Sequence, residues 1–234
     1  MYLGVVYCPY ARLFLQNMTA AEENYLKAIF KLSQEGVEVV STNAIAAQMK
    51  TSAASVTDMI KRLAEKQMVV YVKYKGVELT AEGNAKAKEM VRNHRIWEVF
   101  LVEKLNFGWD EIHDIAEQLE HIKSKDLIMR LDSFLGFPRF DPHGDPIPDA
   151  QGEMQQRSET LLSELPAGES GIVVGVKDTS SSFLQHLDKM EIELGTSLTI
   201  TDRVDYDGSL ELKHGDRTIS VSERVAQNIY VKQV

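Results

Sequence analysis

Apolar residues recur at helical spacing early in the chain. Over Thr19–Ser33 they fall at Tyr25, Leu26, Ile29, Phe30 and Leu32, with Thr19 placed to cap and Glu22 three residues on as its capping-box partner. This pattern predicts a helix, which Gly36 ends. Ser41-Thr42 then caps a short helix over Asn43–Met49, with Ile45, Ala46 and Met49 turned inward. Thr51-Ser52 breaks the chain and caps a third helix, Ala53–Lys66. Two short helices joined by a tight polar turn form a helix-turn-helix pattern. The next stretch, VVYVKYKGVELT, has β-favouring residues on both sides of Lys75-Gly76 and predicts a two-stranded hairpin, a wing. Thr80 caps a long helix from about Ala81 to Lys104, closed by Asn106-Phe107-Gly108. Two further amphipathic helices are expected, from Trp109 to about Ile122 and from Ser124 to Leu135, the latter ending at Gly136.

Residues 137–150 hold four of the six prolines, so they predict a linker or an ordered crossing loop. Beyond them GIVVGVKD, the helical SSFLQHLDKM and a long alternating stretch with turns at Asp207-Gly208 and His214-Gly215-Asp216 predict a small antiparallel β-barrel with one inserted helix. The expected fold is therefore mainly α with a small β domain. Its parts are an extension over residues 1–17, a winged helix-turn-helix over 18–88, a helical domain over 89–150, a linker over 151–164 and the barrel over 165–234.

Composition narrows the function classes. The 44% hydrophobic and 26% charged content is ordinary for a globular chain, and no apolar run is long enough to span a bilayer. The opening MYLGVVYCPYARLFLQN lacks a basic leader and a clear cleavage site, so it does not read as a signal peptide. Met18 opens the better-patterned segment and is the expected natural start, residues 1–17 otherwise being a poorly fixed extension. Cys8 is the only cysteine, which fits a reducing cytosol and leaves no thiolate cluster for zinc. The net charge of −9 argues against non-specific coating of nucleic acid. It is unevenly spread: Met18–Met90 carries ten Lys/Arg against nine Asp/Glu, and the chain from Val91 onward fifteen against twenty-six. The near-neutral first part leaves room for a basic face; the acidic remainder supplies carboxylates.

The third helix places Ser52, Ser55, Thr57, Asp58, Lys61 and Arg62 on its polar side. Short hydroxyls near a helix N-terminus suit close approach to a duplex, and Lys61, Arg62 and the wing residues Lys73 and Lys75 can meet phosphates. The helix pattern alone reads equally well as a solvated face; the paired lysines of the wing move the reading to DNA. Asp58 repels phosphate but can accept from a cytosine amino group. Farther on, His94 and Glu98 stand four apart on one helix, and His113, Glu117, Glu120 and His121 recur at helical spacing on the next. Taken singly, each is better read as a solvated or capping residue. As a set on adjacent helices they point to a divalent ion with mixed nitrogen and oxygen ligands, manganese or iron(II). His143 and His186 stand alone and read as structural or solvated, and Trp97 and Trp109 as core or interface anchors. No HExxH, defensible Ser/His/Asp order or Gly-rich phosphate loop is present, so an enzyme is not expected.

The segments NYLKAIFKL, SAASVTDMIKRL, YKGVELTAEG, RNHRIWEVFL and IHDIAEQLEHI with the downstream GDPIP resemble the iron- and manganese-dependent repressors of the DtxR/MntR type, over about Thr19–Val234. The resemblance implies a winged helix, a dimerisation and metal-binding domain and an SH3-like (FeoA-like) barrel, in a cytoplasmic homodimer that binds palindromic operators when loaded with metal. It implies a primary site of Glu117, Glu120 and His121 with Asn24 at the first-helix position, where members usually carry Met or Asp. A carboxylate at Glu117, where iron-type members have cysteine, resembles the manganese type. It implies an ancillary site of His94, Glu98 and His113, with Asp178 a candidate where some members add a carboxylate. The competing readings are a metal-binding helical enzyme and a winged-helix regulator of a non-metal effector.

Overall fold

A computed structural model describes residues 18–34, 39–72, 74–155 and 160–234. Residues 1–17, Gly36 and Lys73 therefore lie outside the described residues. The chain forms two compact units, one ending at Val91 and the other beginning at Arg92.

The first unit begins with α1 (Ala20–Gln34). Its N-terminus is tied by the capping box: the Thr19 amide donates to Glu22 Oε2 at 2.8 Å and the Glu22 amide to Thr19 Oγ1 at 3.3 Å. These bonds satisfy two amides that a helix start leaves open. Next come α2 (Thr42–Gln48) and α3 (Ala53–Glu65), capped by Ser41 and Ser52. Leu26, Ile29, Ile45, Val56, Ile60 and Leu63 close the core between the three helices, each large side chain contributing about 1.5–3 kcal/mol. Of the inward-facing residues expected in α2 only Ile45 is buried; Ala46 and Met49 are half-buried. The wing is β1 (Val69–Val72) against β2 (Gly76–Leu79), antiparallel, with Val72 opposite Gly76. Gly76 has φ +139°, and a Cβ there would lie 2.0 Å from the Val40 carbonyl oxygen, so only glycine fits.

Glu22 does more than cap. Its Oε2 accepts from Lys66 Nζ at 2.7 Å, bridging α1 to the end of α3. Burial pushes the Glu22 carboxyl up, but the Lys66 and Thr19 donors outweigh it and hold it below the usual carboxylate value. A carboxyl depressed in the folded state stabilises above its unfolded pKa, and that stabilisation is lost as pH falls through the folded value. Glu22→Gln is accordingly expected to lower the melting temperature at pH 7 and to have a shrinking effect as the pH drops below about 4. A constant decrement across that window, in melts followed by circular dichroism, contradicts this role.

The helix α4 (Ala81–Leu105) starts on Thr80, whose Oγ1 accepts from the Gly83 amide at 3.0 Å. It ends where Asn106 takes φ +57°. In the second unit its C-terminal part packs with α5 (Ile112–Leu119) and α6 (Lys125–Phe134). The core there is Ile96, Val99, Leu101, Ile112, Ala116, Ile128, Leu131 and Ile147, with Trp97 in the same cluster. The helix expected from Trp109 to about Ile122 is shorter at both ends, because Trp109–Glu111 form a turn and the chain turns again at Glu120 and His121.

The proline-rich stretch is an ordered crossing loop pinned to α4. Arg92 donates to the Pro148 carbonyl at 2.6 Å and to Asp132 at 2.7 Å; Arg95 donates to the Pro146 carbonyl at 2.5 Å and to Asp145 at 3.0 Å. Beyond it β3 (Thr160–Leu161), β4 (Ser170–Val176), β5 (Ser197–Arg203), β6 (Leu210–His214), β7 (Arg217–Val221) and β8 (Ile229–Gln233) form one antiparallel sheet in the order β3-β8-β4-β5-β6-β7. Among the described residues this order has two free ends, so the sheet is open where a closed barrel was expected. Alternating residues Leu198, Ile200, Leu210, Leu212, Ile229 and Val231 face a core completed by α7 (Ser181–Lys189) and α8 (Glu223–Ala226). Trp109 packs on this core and donates to Asp188 at 2.8 Å. Among the described residues no helix is long and apolar enough to cross a membrane.

Candidate metal centre and nucleic-acid interface

Glu98 is the centre of the polar cluster in the second unit. It lies one helical turn after His94 on α4, and both side chains are buried although both are ionisable. Such burial is costly unless the groups are paired or ligate a metal. His94 Nε2 stands 3.0 Å from Glu98 Oε1, and His113 Nδ1, at the start of α5, 3.7 Å from the same oxygen. The donor atoms of His94, Glu98 and His113 all lie within 4.8 Å of one another. The two rings meet edge to face at 4.9 Å. Burial pushes the Glu98 carboxyl up, but the facing His113 and His94 nitrogens and the charges of His94 and His143 prevail, holding it far below the usual carboxylate range. Glu98 is therefore an anion in a nearly dry setting, with imidazole nitrogens around it at separations a single ion can span.

Glu120 supports this group. Its Oε2 accepts from His94 Nδ1 at 2.6 Å, which leaves Nε2 to face Glu98. A ligating imidazole almost always carries its other N–H on such a partner. Glu120 Oε1 is also 3.8 Å from His121 Nε2, and Asn93 donates to the Glu120 carbonyl at 3.4 Å. Although Glu120 lies just past α5, its backbone keeps helical angles, φ −60° and ψ −24°. Glu117, half-buried, lies on the last turn of α5. In the first unit the Asn24 amide oxygen is buried and, among the described residues, has no hydrogen-bond partner. Glu23 faces Lys86 at 3.5 Å. Asp178 accepts from the Ser180 amide at 2.9 Å.

His143 corrects the sequence reading of an isolated histidine. It is 2% exposed, its Nδ1 stands 3.9 Å from Glu98 Oε1, and its Nε2 lies 2.8 Å from the Trp109 carbonyl oxygen. Asp141, also buried, accepts from the amides of His143 and Asp145 at 2.8 and 2.9 Å. Burial and the like charges of Asp145 and Glu98 push its carboxyl well above the ordinary value, against the opposing charge of Arg95. His186 is exposed on α7.

The DNA candidates gather on one exposed face. Ser52, Ser55, Thr57, Asp58, Lys61 and Arg62 are all exposed, while Val56, Ile60 and Leu63 of the same helix are buried. Ser52 Oγ accepts from the Ser55 amide at 3.2 Å and the two hydroxyls meet at 2.9 Å. Thr57 Oγ1 donates back to the Ala53 carbonyl at 2.8 Å. Asp58 pairs with Lys61 at 3.2 Å. Lys75 lies exposed at the wing tip beside Tyr74, which is 89% exposed with φ +63°.

Comparison with known proteins assigns the units. Residues 17–77 match the N-terminal DNA-binding domain of iron-dependent repressors, residues 80–149 their metal-binding and dimerisation domain, and residues 160–233 the FeoA domain. The iron-dependent repressor IdeR of Mycobacterium leprae is 26% identical over 94% of this chain and all of its own. That of Mycobacterium bovis is 30% identical over 68% of this chain and 72% of its own. The solved structure of a manganese-dependent transcriptional repressor in complex with manganese is 34% identical, covers 91% of this chain and all of that one, and superposes with a TM-score of 0.81. The chain belongs to the iron-dependent repressor family, a family of DNA-binding transcriptional repressors with metal-binding domains.

Proposed function

We propose that this protein is a cytoplasmic, homodimeric repressor, activated by Mn²⁺ or Fe²⁺, that binds a palindromic operator and controls metal-uptake genes. The observation that carries the reading is the buried carboxylate of Glu98 with His94 and His113 nitrogens 3.0 and 3.7 Å away. His94, Glu98 and His113 hold one ion; Glu117, Glu120 and His121 hold the other, with Asn24 supplying an amide oxygen. The set has oxygen and nitrogen but no sulfur, which favours a hard or borderline divalent ion. The metal supplies charge neutralisation among converging carboxylates. The protein's side chains orient the ligands, Glu120 by fixing the His94 ring. Residues 18–88 read DNA and residues 89–150 dimerise and bind metal; after a linker over 151–164, whose end contributes β3, residues 165–234 form the rest of an open, SH3-like sheet domain. Ser52, Ser55, Thr57, Asp58, Lys61 and Arg62 meet the major groove or its phosphates, with Lys73 and Lys75 on the wing. Coupling between metal and DNA in such a switch is typically about 1–3 kcal/mol.

Fluorescence polarisation with operator fragments selected from a genomic pool tests the reading. Binding is expected with Mn²⁺ and its loss with chelator; binding indifferent to chelator defeats it. In the same assay Lys61→Ala is expected to weaken all sequences alike and to flatten the dependence of log K on log salt by about one unit per half-site. The Asp58 contact does not substitute for this role, because an exposed pair contributes little. An unchanged salt slope removes Lys61 from the phosphate contacts.

A further inference from the structure

We propose that Ser181, Gln185 and Asp188 of α7 are positioning residues for His113: they hold the Trp109–Asp110 turn and so fix where α5 begins. The inference rests on the proposed function, in which His113 completes a metal site with His94 and Glu98. It assigns no ligand to α7. Trp109 Nε1 donates to Asp188 Oδ1 at 2.8 Å, Gln185 Nε2 donates to Asp110 Oδ2 at 2.8 Å, and Ser181 Oγ donates to the Asp110 carbonyl at 2.9 Å. Spacings of four and three put Ser181, Gln185 and Asp188 on one stripe of the helix. The adjoining stripe, Leu184 and Leu187, is buried in the core of the β domain. The hold on the turn therefore comes from a helix that is itself anchored.

The start of α5 depends on such an anchor. The helix has eight residues, a length that is marginal on its own in water. Its N-cap residue, Glu111, makes no side-chain capping bond to the helix. The Glu111 carboxylate instead accepts from the Gly108 amide at 3.1 Å, within the preceding turn. By contrast α2 and α3 start on the hydroxyls of Ser41 and Ser52. His113 is the second residue of α5, three positions after Asp110. Its side chain is 52% exposed, whereas His94 and Glu98 are buried. Packing holds those two, and Glu120 fixes the His94 ring. His113 takes its place from the backbone that carries it. A binding constellation works only when its members are held to about 0.5 Å, and a tilt of the first turn of α5 moves the His113 ring relative to Glu98 Oε1, 3.7 Å from its Nδ1. The Trp109 carbonyl also accepts from His143 Nε2 at 2.8 Å, so the crossing loop steadies the same turn from a second side.

The test titrates the full chain with MnCl₂ in two backgrounds, counting free Mn²⁺ by electron paramagnetic resonance. His121→Ala weakens the second ligand set and leaves the His94–Glu98–His113 site; His113→Ala does the reverse. Adding Gln185→Ala with Asp188→Ala is expected to lower Mn²⁺ affinity about tenfold in the His121→Ala background, the lower end of the range for groups behind metal ligands, and to change nothing in the His113→Ala background. Asp188→Asn, which keeps an acceptor for Trp109, is expected to retain the affinity. Equal affinity in both backgrounds, or an equal fall in both, overturns the inference and leaves the proposed function standing. A natural chain that binds no Mn²⁺ overturns both. Hydrogen exchange of the metal-free protein reads the same hold without an ion and decides where either background binds none. The two alanines are expected to speed exchange over residues 109–119 and to leave residues 181–189 protected; unchanged exchange over 109–119 overturns the proposal. Should the pair prevent folding, Gln185→Ala alone, which deletes only the bond to the Asp110 carboxylate, takes its place in both measurements.

Discussion

Glu120→Ala is expected to abolish manganese-dependent operator binding, and Glu120→Gln to reduce manganese affinity on the order of 10–100-fold, the range seen when the group behind a metal-bound histidine is removed. The carboxylate is fully buried and reaches both candidate ligand sets, His94 Nδ1 at 2.6 Å through one oxygen and His121 Nε2 at 3.8 Å through the other. Alanine leaves the His94 N–H without its acceptor in a dry setting, at a cost of about 1–3 kcal/mol. It also removes a negative charge from a cluster that a cation must stabilise. Glutamine retains an acceptor for His94 but replaces the charged oxygen offered to the second ion by an amide, so the two variants separate the orientation of His94 from the loss of the carboxylate charge. Isothermal titration with Mn²⁺ and polarisation with operator DNA measure the two effects. Glu103→Ala, an exposed position on α4, is the control change that should alter neither. Operator binding of Glu120→Ala equal to that of the natural sequence at saturating Mn²⁺ removes Glu120 from the switch.

What could be read in advance follows the range of the interactions. Thr19 and Glu22 are three residues apart, and their reciprocal bonds form as the spacing requires. The exposed and buried faces of α3 likewise follow from helical periodicity alone. The pairing of His94 with Glu98 is one helical turn long and equally legible. Glu120 and His121 were placed by the same arithmetic, which survives the early end of α5 because Glu120 keeps helical angles. His143 obeys no such rule. Its partners are Trp109, 34 positions away, and Glu98 on another element, and no period in the sequence joins them. The one local signal was the turn chemistry of Asp-Pro-His-Gly-Asp, where Asp141 accepts from the second and fourth amides after it. That signal predicts a fixed loop but not what the loop faces. The β domain shows the same limit. Alternation of buried residues marks each strand, whereas whether the sheet closes depends on strand tilt and register, which alternation does not encode.

Gly83→Ala is expected to destabilise the winged-helix unit by about 2 kcal/mol, although glycine to alanine inside a helix ordinarily gains about 1 kcal/mol. The position is in the first turn of α4, where a Cβ would lie 1.9 Å from the Met68 carbonyl oxygen and 2.8 Å from its carbon. The neighbour is backbone, and it cannot give way cheaply. The Met68 carbonyl accepts from the Thr80 amide at 3.0 Å and from Thr80 Oγ1 at 3.2 Å, Met68 is buried, and Val69 beside it is paired with Leu79. Relieving the contact means moving the helix start away from the wing and breaking the cap. Overpacking of this kind costs about 1–3 kcal/mol with yielding side chains, and rigid backbone puts the cost at or beyond the upper end, above the propensity gain. For a unit of this size the net loss corresponds to a melting temperature lower by roughly 8–16 °C. Gly136→Ala is the informative contrast: φ is +76° and among the described residues nothing lies within 4 Å of the added carbon, so only backbone strain of about 1–2 kcal/mol is incurred. Thermal melts of both variants, with operator affinity measured at saturating Mn²⁺, separate the effects. Gly83→Ala is expected to lose operator affinity as the wing shifts, whereas Gly136→Ala is expected to retain it. A Gly83→Ala protein that melts at or above the temperature of the natural sequence refutes the close approach of α4 to Met68.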